Sequence, residues 1–279
     1  MSDNNTPIYT NANQPARFAK AKEEKNERYL DIASVYDASF LKGKRVAITG
    51  CNRGIGLALA QELVQAGGIL IAIVRSNSDE LKALQPAEII QGIDVTSDEA
   101  CEGIASQIKG GPIDILINNA GYFMEALETL DNLHFTEQIK QIDICACGPL
   151  RVSASLIKGD LLKEGSKIVM ITSQGGSIAW RFEQNPTGHD YGHHMSKAAA
   201  NMMSVLLAQE VKSKGIMVGV FHPGFNKTGM TAKYAEIWEV EGAVDASVGA
   251  KRVFYETGRL SMETSGKFIN CEDGLQIPW

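Results

Sequence analysis

A glycine-rich turn between an apolar run and a helical pattern limits the possible folds of this chain more than any other stretch. The run 46–48 (Val-Ala-Ile) has the composition of a buried strand, and apolar residues at helical spacing begin just after position 56. Between them lie Gly50, Gly54 and Gly56. Glycines at such a turn let the backbone approach a pyrophosphate, and the free N–H groups of the helix start attract that anion. The stretch therefore predicts a dinucleotide site in an α/β fold.

Further apolar runs of strand length alternate with helical segments along the rest of the chain. They occur at 69–74, 113–117, 167–173, 217–221 and 266–270. The run at 69–74 is apolar throughout, as expected for a parallel strand that is covered on both faces. Helical spacing predicts further helices over 97–108, over 137–162, after Tyr191 and near 244–257.

The composition limits the classes of function. With 279 residues, 44% of them hydrophobic, the chain can bury one full-sized core. A net charge of −6 argues against a nucleic acid partner, because phosphate binding relies on clustered Lys and Arg. No apolar run reaches the length of a membrane span, and the first residues lack the features of a signal peptide. Five cysteines without a CxxC pair argue against a disulfide framework, so we expect a cytoplasmic protein without a membrane partner.

A change in composition near residue 41 divides the chain into an N-terminal extension (1–41) and a single domain (42–279). Residues 1–19 are rich in Asn, Pro and Thr and predict a mobile arm, while the charged run 19–30 predicts an exposed helix. An apolar edge follows, which could cover the sheet or contact a second subunit. Its residues are Tyr29, Ile32, Val35, Tyr36 and Phe40.

Three short motifs occur at the ends of predicted strands. Residues 49–56 read TGxxxGIG, residues 118–121 read NNAG, and residues 223–228 read PGxxxT. Together they resemble the short-chain dehydrogenase/reductase family over about residues 43–279. The stretch 171–180, which reads ITSQGGSIAW, and the ending 274–279 look most like the C-factor and carbonyl-reductase-like branch of that family. The resemblance implies a Rossmann-type doubly wound parallel sheet of about seven strands, with helices on both faces.

The resemblance also implies a cofactor site. Arg53 lies in the glycine turn, and Arg75 follows the strand at 69–74, where NAD enzymes usually carry an acid. A cation at this point can pair with a 2′-phosphate, so the two arginines predict NADPH or NADP⁺. The predicted cofactor-binding residues are Gly50, Asn52, Arg53, Gly54, Ile55, Gly56, Arg75, Asp94, Val95, Asn119, Ala120, Gly121, Lys197, Pro223, Gly224 and Thr228.

The catalytic residues follow the family only in part. In the family a tyrosine exchanges the proton, a lysine four residues later lowers its pKa, a serine binds the substrate oxygen and an asparagine supports a water relay. Ser173 and Lys197 match the serine and the lysine. His193 occupies the tyrosine position and Cys145 the asparagine position. The predicted catalytic residues are therefore Ser173, His193 and Lys197, with Tyr191 as a second candidate for proton exchange.

Tyr191 and His193 differ in what they could do. Tyr191 lies six residues before Lys197, about 240° away around a helix, so it could participate only from a loop before that helix. The ammonium of Lys197 lowers the pKa of a neighbouring imidazole, and neutral imidazole is a poor proton donor. His193 is therefore expected to work better as a base, in alcohol oxidation or in a proton-transfer reaction.

Three functions remain open. The first is an NADP(H)-dependent oxidoreductase that acts on a carbonyl or alcohol of a small organic substrate, with a substrate loop at about 225–243. The second is a lyase, isomerase or cyclase on the same scaffold, and the third is a non-catalytic NADPH-binding protein, because the family tyrosine and asparagine are replaced. The resemblance implies a homodimer or homotetramer and no metal, although residues 189–194 contain three histidines and an aspartate at ligand spacing. Side chains expected near the substrate are Phe123, Met124, Trp180, Phe182, Phe225 and Trp238.

Overall fold

The computed structural model describes residues 9–279, and residues 1–8, the start of the predicted mobile arm, lie outside it. In the described chain the strands are β1 (Arg45–Thr49), β2 (Ile69–Val74), β3 (Glu88–Gln91), β4 (Ile115–Asn118), β5 (Lys167–Ile171), β6 (Met217–His222), β7 (Asn226–Lys227), β8 (Val244–Asp245) and β9 (Phe268–Asn270). The α-helices are α1 (Gln14–Glu23), α2 (Glu27–Leu30), α3 (Gly54–Gln65), α4 (Asp79–Ala83), α5 (Asp98–Glu102), α6 (Ile104–Gln107), α7 (Phe135–Ile142), α8 (Gly148–Lys158), α9 (Ile178–Gln184), α10 (Tyr191–Val211) and α11 (Ala246–Arg259).

Seven of the strands form one sheet in the order β3-β2-β1-β4-β5-β6-β9, and all neighbours are parallel. Side chains of β2 alternate between two apolar clusters, because successive residues of a strand point to opposite faces. Ile71 and Ile73 lie in one cluster, while Leu70 and Val74 lie in the other. The predicted Rossmann-type doubly wound α/β fold is confirmed, and each face of the sheet has its own core.

The order of the strands reverses between β1 and β4. β1 pairs with β2 on one side and with β4 on the other, so connections leave this point in opposite directions. Ligands of open α/β sheets bind in the crevice that such a reversal leaves beyond the carboxyl ends of the strands. Thr49 and Asn118 end these two strands, so the glycine turn and the NNAG segment meet at this crevice.

Two predicted helices are interrupted. The helix predicted over 137–162 consists of α7 and α8 joined by a π-helical turn, Asp143–Cys147. The helix predicted over 97–108 consists of α5 and α6, which meet at Gly103. The helix near 244–257 is present as α11, and the helix after Tyr191 is the 21-residue α10.

The N-terminal extension is docked on the domain from residue 9 onward. The prediction of a mobile arm needs correction here, because α1 begins at Gln14, where Asn13 Oδ1 accepts from the N–H of Ala16 at 2.9 Å. Before α1, the N–H of Thr10 donates to the carbonyl oxygen of Gln276 at 3.1 Å. The stretch that was predicted to be mobile thus contains Asn13, a helix-capping residue, and composition alone does not detect such a residue.

The exposed helix predicted over 19–30 is two helices, α1 and α2, separated by a bend at Lys25, whose φ is 51°. Part of the apolar edge, which begins within α2, covers the chain's own domain, whereas Val35 is 37% exposed. Tyr29 is 3% exposed and Ile32 is 2% exposed. Of the two roles considered for this edge, covering the fold is the one that the structure shows for these residues.

Candidate active site

The turn between β1 and α3 brings backbone groups to the crevice. Gly50 has a φ of 65°, in the left-handed region, and a Cβ there would stand 2.9 Å from the Cα of Ala120. A Cβ on Gly56 would collide with the carbonyl oxygen of Gly50 and the side-chain amide of Asn119. Arg53, just before α3, makes no side-chain capping bond, so the amides of the first helical turn are left for an anion.

The NNAG segment holds this turn from the neighbouring strand. Nδ2 of Asn119 donates to the carbonyl oxygens of Thr49 and Gly50, both at 3.1 Å. The backbone N–H groups of Asn119 and Ala120 donate to Thr49 Oγ1 at 3.0 Å. Two motifs that lie about seventy residues apart in the sequence therefore form one structure at the head of the crevice.

Two exposed arginines stand where the sequence predicts the 2′-phosphate. Arg53 and Arg75 are both exposed, and Nη1 of Arg75 lies 3.7 Å from Oδ2 of Asp94. Hydrogen bonds from Thr96 lower the pKa of Asp94, so its carboxylate is charged and fixed next to the strand end. Val95 is buried behind it. Cations at the surface and a cradle without side chains are what a phosphorylated dinucleotide needs, so the residues present fit NADP(H).

The loop after β6 closes the other end of the crevice. Pro223 and Gly224 are buried, and a Cβ on Gly224, whose φ is 89°, would stand 2.7 Å from Cγ of Glu272. β7 then leads to Thr228, whose Cγ2 lies 4.0 Å from the position of a Cβ on Gly54. The PGxxxT loop thus faces the glycine turn across the crevice. The other predicted residues of the turn, both half-buried, are Asn52 and Ile55.

Ser173 and His193 converge on Gly175. A Cβ at Gly175 would stand 3.2 Å from Ser173 Oγ, 3.1 Å from His193 Nε2 and 3.1 Å from His194 Nδ1. The N–H of Gly175 donates to Ser173 Oγ at 3.0 Å, which fixes the hydroxyl at the end of β5. The missing side chain at Gly175 leaves the space in which the serine and the imidazole approach each other.

His193 is a stacked imidazole that is neutral at pH 7. Its ring centre lies 4.1 Å from that of Phe123, with 24° between the planes. Its Nδ1 is buried and has no hydrogen-bond partner in residues 9–279. Burial, followed by the positive charge of Lys197, lowers the pKa of His193 well below 6.5. The ring is therefore in its base form.

Helix α10 sets the relative positions of the predicted catalytic residues. His193 and Lys197 lie one turn apart on the same helix face. Tyr191 is the first residue of α10, so it does not occupy the loop position from which it could have participated. The reason is local, because left-handed backbone at His189 and Asp190, with φ of 111° and 50°, ends the loop immediately before Tyr191.

Cys145 lies in the π-helical turn between α7 and α8. Its thiol is buried, and Sγ donates to the carbonyl oxygen of Tyr122 at 3.6 Å. A Cβ on Gly121 would stand 3.9 Å from the same sulfur. Cys145 therefore contacts the segment that follows NNAG, but a thiol is a weaker hydrogen-bond donor and acceptor than the amide of the family asparagine.

Asp190 joins the start of α10 to the predicted substrate loop. It is 3% exposed, and its carboxylate accepts from the hydroxyl of Tyr234 at 2.6 Å and from Nζ of Lys233 at 3.4 Å. Burial alone would raise the pKa of Asp190, but the Tyr234 and Lys233 contacts outweigh it and lower that pKa. Nζ of Lys233 also lies 3.6 Å from the ring centre of Phe123, so loop, phenyl ring and His193 are packed together.

The other two histidines of residues 189–194 use ring nitrogens in polar contacts. His189 Nδ1 lies 3.2 Å from an oxygen of Asp190. His194 Nδ1 donates to the carbonyl oxygen of Gly175 at 2.9 Å, and its Nε2 accepts from Asn185 at 3.0 Å. Within residues 9–279 no group of three or more His, Cys, Asp or Glu is placed to hold a metal. In the same range, the helices are too short or too polar to span a bilayer.

Some features of the site escaped the sequence reasoning. The glycine pair 175–176 sets the distance between the Ser173 turn and α10, because a Cβ on Gly176 would stand 2.7 Å from the carbonyl oxygen of Lys197. Two consecutive glycines after the serine were the available signal. Among the aromatic side chains expected near the substrate, Phe182 is 86% exposed and Trp180 is buried in an apolar cluster.

Comparison with known proteins agrees with this geometry. The family model described as short chain dehydrogenase matches residues 44–237. The 1-hydroxy-2-glutathionyl-2-methyl-3-butene dehydrogenase of Rhodococcus sp. (strain AD45) is 29% identical over 84% of this chain and 99% of its own. C-signal of Myxococcus xanthus is 32% identical over 63% of this chain and 98% of its own. The NADPH-bound carbonyl reductase from chicken fatty liver has the same fold, with a TM-score of 0.73 at 24% identity over 85% of this chain and 100% of its own. The chain belongs to the short-chain dehydrogenase family.

Proposed function

We propose that this protein is an NADP(H)-dependent oxidoreductase that interconverts a carbonyl and an alcohol on a small organic substrate. The observation that carries the proposal is the approach of Ser173 Oγ and His193 Nε2 to the same point beside Gly175. The point lies at the carboxyl edge of the sheet, next to a crevice built for a dinucleotide. The named relative from Rhodococcus is a dehydrogenase and the chicken protein is an NADPH-bound carbonyl reductase, which supports this class of reaction.

The roles within the site follow from the chemistry of the side chains. A bound NADP(H) supplies or accepts the hydride. Ser173 donates a hydrogen bond to the substrate oxygen, and Lys197 anchors the nicotinamide ribose. His193 exchanges the proton with the substrate oxygen, and as a neutral ring it accepts a proton readily. The site is therefore better suited to alcohol oxidation than to carbonyl reduction.

The cofactor preference is part of the proposal. Arg53 and Arg75 provide two exposed cations near the end of β2, where the 2′-phosphate of NADP(H) would lie. A cytoplasmic location is also proposed, and the five free cysteines agree with it.

A homodimer or homotetramer is the proposed assembly. Helices α7 and α10 pack against each other. Apolar side chains on other faces of these two helices are exposed to solvent. Phe135 is 69% exposed, Ile139 66%, Met202 63% and Leu206 61%. Exposed apolar residues on adjacent helices favour contact with a second copy of the chain. Sedimentation as a monomer at every concentration would contradict this assembly.

A proton-transfer enzyme on the same scaffold, or a non-catalytic NADPH-binding protein, is the second candidate. The stacking of Phe123 on His193 favours the non-catalytic protein, because the phenyl ring covers the imidazole that would have to reach a substrate in either kind of enzyme. Conversion of a substrate without oxidation of NADPH would identify the first of these. Tight NADPH binding with carbonyl reduction only in His193→Tyr would identify the second.

The test is NADPH titration followed by a pH profile. After fluorescence shows binding, oxidation of NADPH by a panel of carbonyl compounds is measured between pH 6 and 8 in wild type, His193→Ala and His193→Tyr. Since the pKa of His193 is low, its protonated fraction grows about tenfold for each unit of falling pH, and the wild-type reduction rate should rise in proportion. Undiminished turnover in His193→Ala, or a flat wild-type profile, would contradict the role of His193.

A further inference from the structure

Helix α1 reaches the active site from outside the region that matches the family. Its residues Gln14 and Arg17 are 4% and 5% exposed, although the helix lies near the start of the chain. Polar and charged side chains are rarely buried to this degree unless they are paired, so their partners indicate what the helix does.

Arg17 contacts both sides of the substrate end of the crevice. Its Nη2 donates to Oε1 of Gln174 at 2.9 Å and pairs with Oε2 of Glu272 at 3.4 Å. Gln174 directly follows Ser173, the proposed ligand of the substrate oxygen. The guanidinium carbon also lies 5.3 Å from the ring centre of Trp180.

Glu272 connects Arg17 to the loop after β6. Its carboxylate is fully buried, and Oε1 accepts from the backbone N–H of Phe225 at 3.3 Å. The side chain also fills the space beside Gly224. Burial alone would raise the pKa of Glu272, but the charges of Arg252 and Arg17 outweigh it and hold that pKa at about 2. The carboxylate is therefore ionised and anchored when it holds the loop.

Gln14 and Phe18 extend the contact to the end of the substrate loop. Nε2 of Gln14 donates to both oxygens of Glu272, at 3.0 and 3.2 Å, and to the carbonyl oxygen of Glu241 at 3.3 Å. The ring of Phe18 packs on Gly242, where a Cβ would stand 2.6 Å from it. One face of α1 thus touches the Ser173 turn, the loop after β6 and the last residues of the substrate loop.

We propose that α1 forms part of the active site and that Arg17 is a positioning residue. Arg17 fixes the Ser173 turn and the 223–226 loop relative to each other, in the positions that bind the nicotinamide end of the cofactor. The proposal rests on the proposed function, since it assumes NADP(H) in the crevice. Arg17 lies on the nicotinamide side, whereas the arginines for the 2′-phosphate lie near the end of β2, so loss of Arg17 should affect only one end of the dinucleotide.

The experiment compares Arg17→Met with wild type in fluorescence titrations with NADPH and in competition titrations with adenosine 2′,5′-bisphosphate, which lacks the nicotinamide half. We expect NADPH affinity to fall about tenfold, the factor for losing one hydrogen bond to a charged group, and bisphosphate affinity to stay within about twofold. Lys20→Met on the exposed face of α1, where Lys20 pairs with Glu24, is the control and should change neither.

Equal losses for both ligands, or no loss for either, would overturn the role of Arg17. Wild-type protein that binds neither ligand would instead contradict the proposed function itself, so the two failures are distinguishable. If Arg17→Met does not yield folded protein, Gln14→Met removes the contacts to Glu272 and Glu241 and keeps both arginines around Glu272. It should show the same selective loss, and equal or absent losses there would overturn the proposal as well.

Discussion

The glycine turn after β1 and the Ser173 turn with the start of α10 are two parts of the site, and they are held by different kinds of contact. The glycine turn is held largely through main-chain groups. Asn119 donates to the carbonyl oxygens of Thr49 and Gly50, and Gly56 lets the helix pack against them. All of these contacts join two neighbouring strands and the segments that follow them.

The catalytic side depends on buried charged groups from distant parts of the chain. Glu128, 1% exposed, accepts from the N–H of Gly192 at 2.8 Å and so holds the first turn of α10. Asp190 is held by Tyr234 of the substrate loop, and Gln174 by Arg17 of the N-terminal extension. His193 and Cys145, the two predicted departures from the family pattern, also lie on this side.

This difference indicates in which part of the site residues can be replaced while the fold stays the same. A backbone cradle accepts a pyrophosphate by its shape alone, so it tolerates few changes at the glycines. A constellation of side chains can exchange its members while the fold stays the same, and function is then set by the new members rather than by the fold. The crevice keeps a dinucleotide site, and the proposed departures from the family lie among the side chains next to it.

The largest effect is expected from Gly56→Ala, which places a methyl group in the glycine turn after β1. A Cβ at this position meets the main-chain carbonyl oxygen of Gly50 and the side-chain amide of Asn119, which two hydrogen bonds hold in place. Overpacking of this kind costs about 3 kcal/mol, so NADPH affinity should fall about hundredfold in a fluorescence titration.

Gly229→Ala is the matched control for that substitution, because nothing lies within 4 Å of a Cβ there. It should bind NADPH like wild type. If Gly56→Ala also keeps wild-type affinity, the glycine turn does not carry the pyrophosphate, and the contrast between the two sides fails at its first step.

The same contrast explains what could be predicted from the sequence. The strands, their parallel pairing and the glycine turn follow from apolar runs and motifs of a few residues, since short-range patterns determine them. Arg17 and Glu272 are 255 positions apart in the sequence, so no local sequence pattern predicts their contact. The start of α10 at Tyr191 depends on left-handed backbone at His189 and Asp190, residues that also occur in ordinary helices and loops.

Gly175→Ala tests the catalytic side with a similarly small change. The new methyl group would occupy the space between Ser173 Oγ and His193 Nε2, so the two could no longer meet a substrate oxygen together. We expect turnover to fall about thirtyfold, equivalent to about 2 kcal/mol, with NADPH affinity within about twofold of wild type. Steady-state turnover and the NADPH titration, measured on the same preparation, separate the two effects.

Loss of NADPH affinity in Gly175→Ala would show that the two sides are not independent. Unchanged turnover would show that the reaction does not pass between Ser173 and His193, and the proposed roles of both would then be wrong. The first result would contradict the separation of the cofactor side from the catalytic side, and the second would contradict the proposed catalytic residues.

The smallest effect is expected from Arg75→Ala, which changes only a surface charge of the cofactor side. The side chain of Arg75 is 74% exposed, and its pairing with Asp94 at 3.7 Å contributes little in water, so the cation is available to a 2′-phosphate. Its loss should weaken NADPH binding about fivefold, equivalent to about 1 kcal/mol, and leave NADH binding unchanged. Lys82→Ala, which removes an exposed cation of α4 paired with Asp79, is the control and should not discriminate between the two cofactors.

Because salt screens exposed charges, the difference in NADPH affinity between wild type and Arg75→Ala should shrink as the salt concentration is raised. Equal weakening of NADPH and NADH would place Arg75 away from the 2′-phosphate and leave the cofactor preference to Arg53 alone.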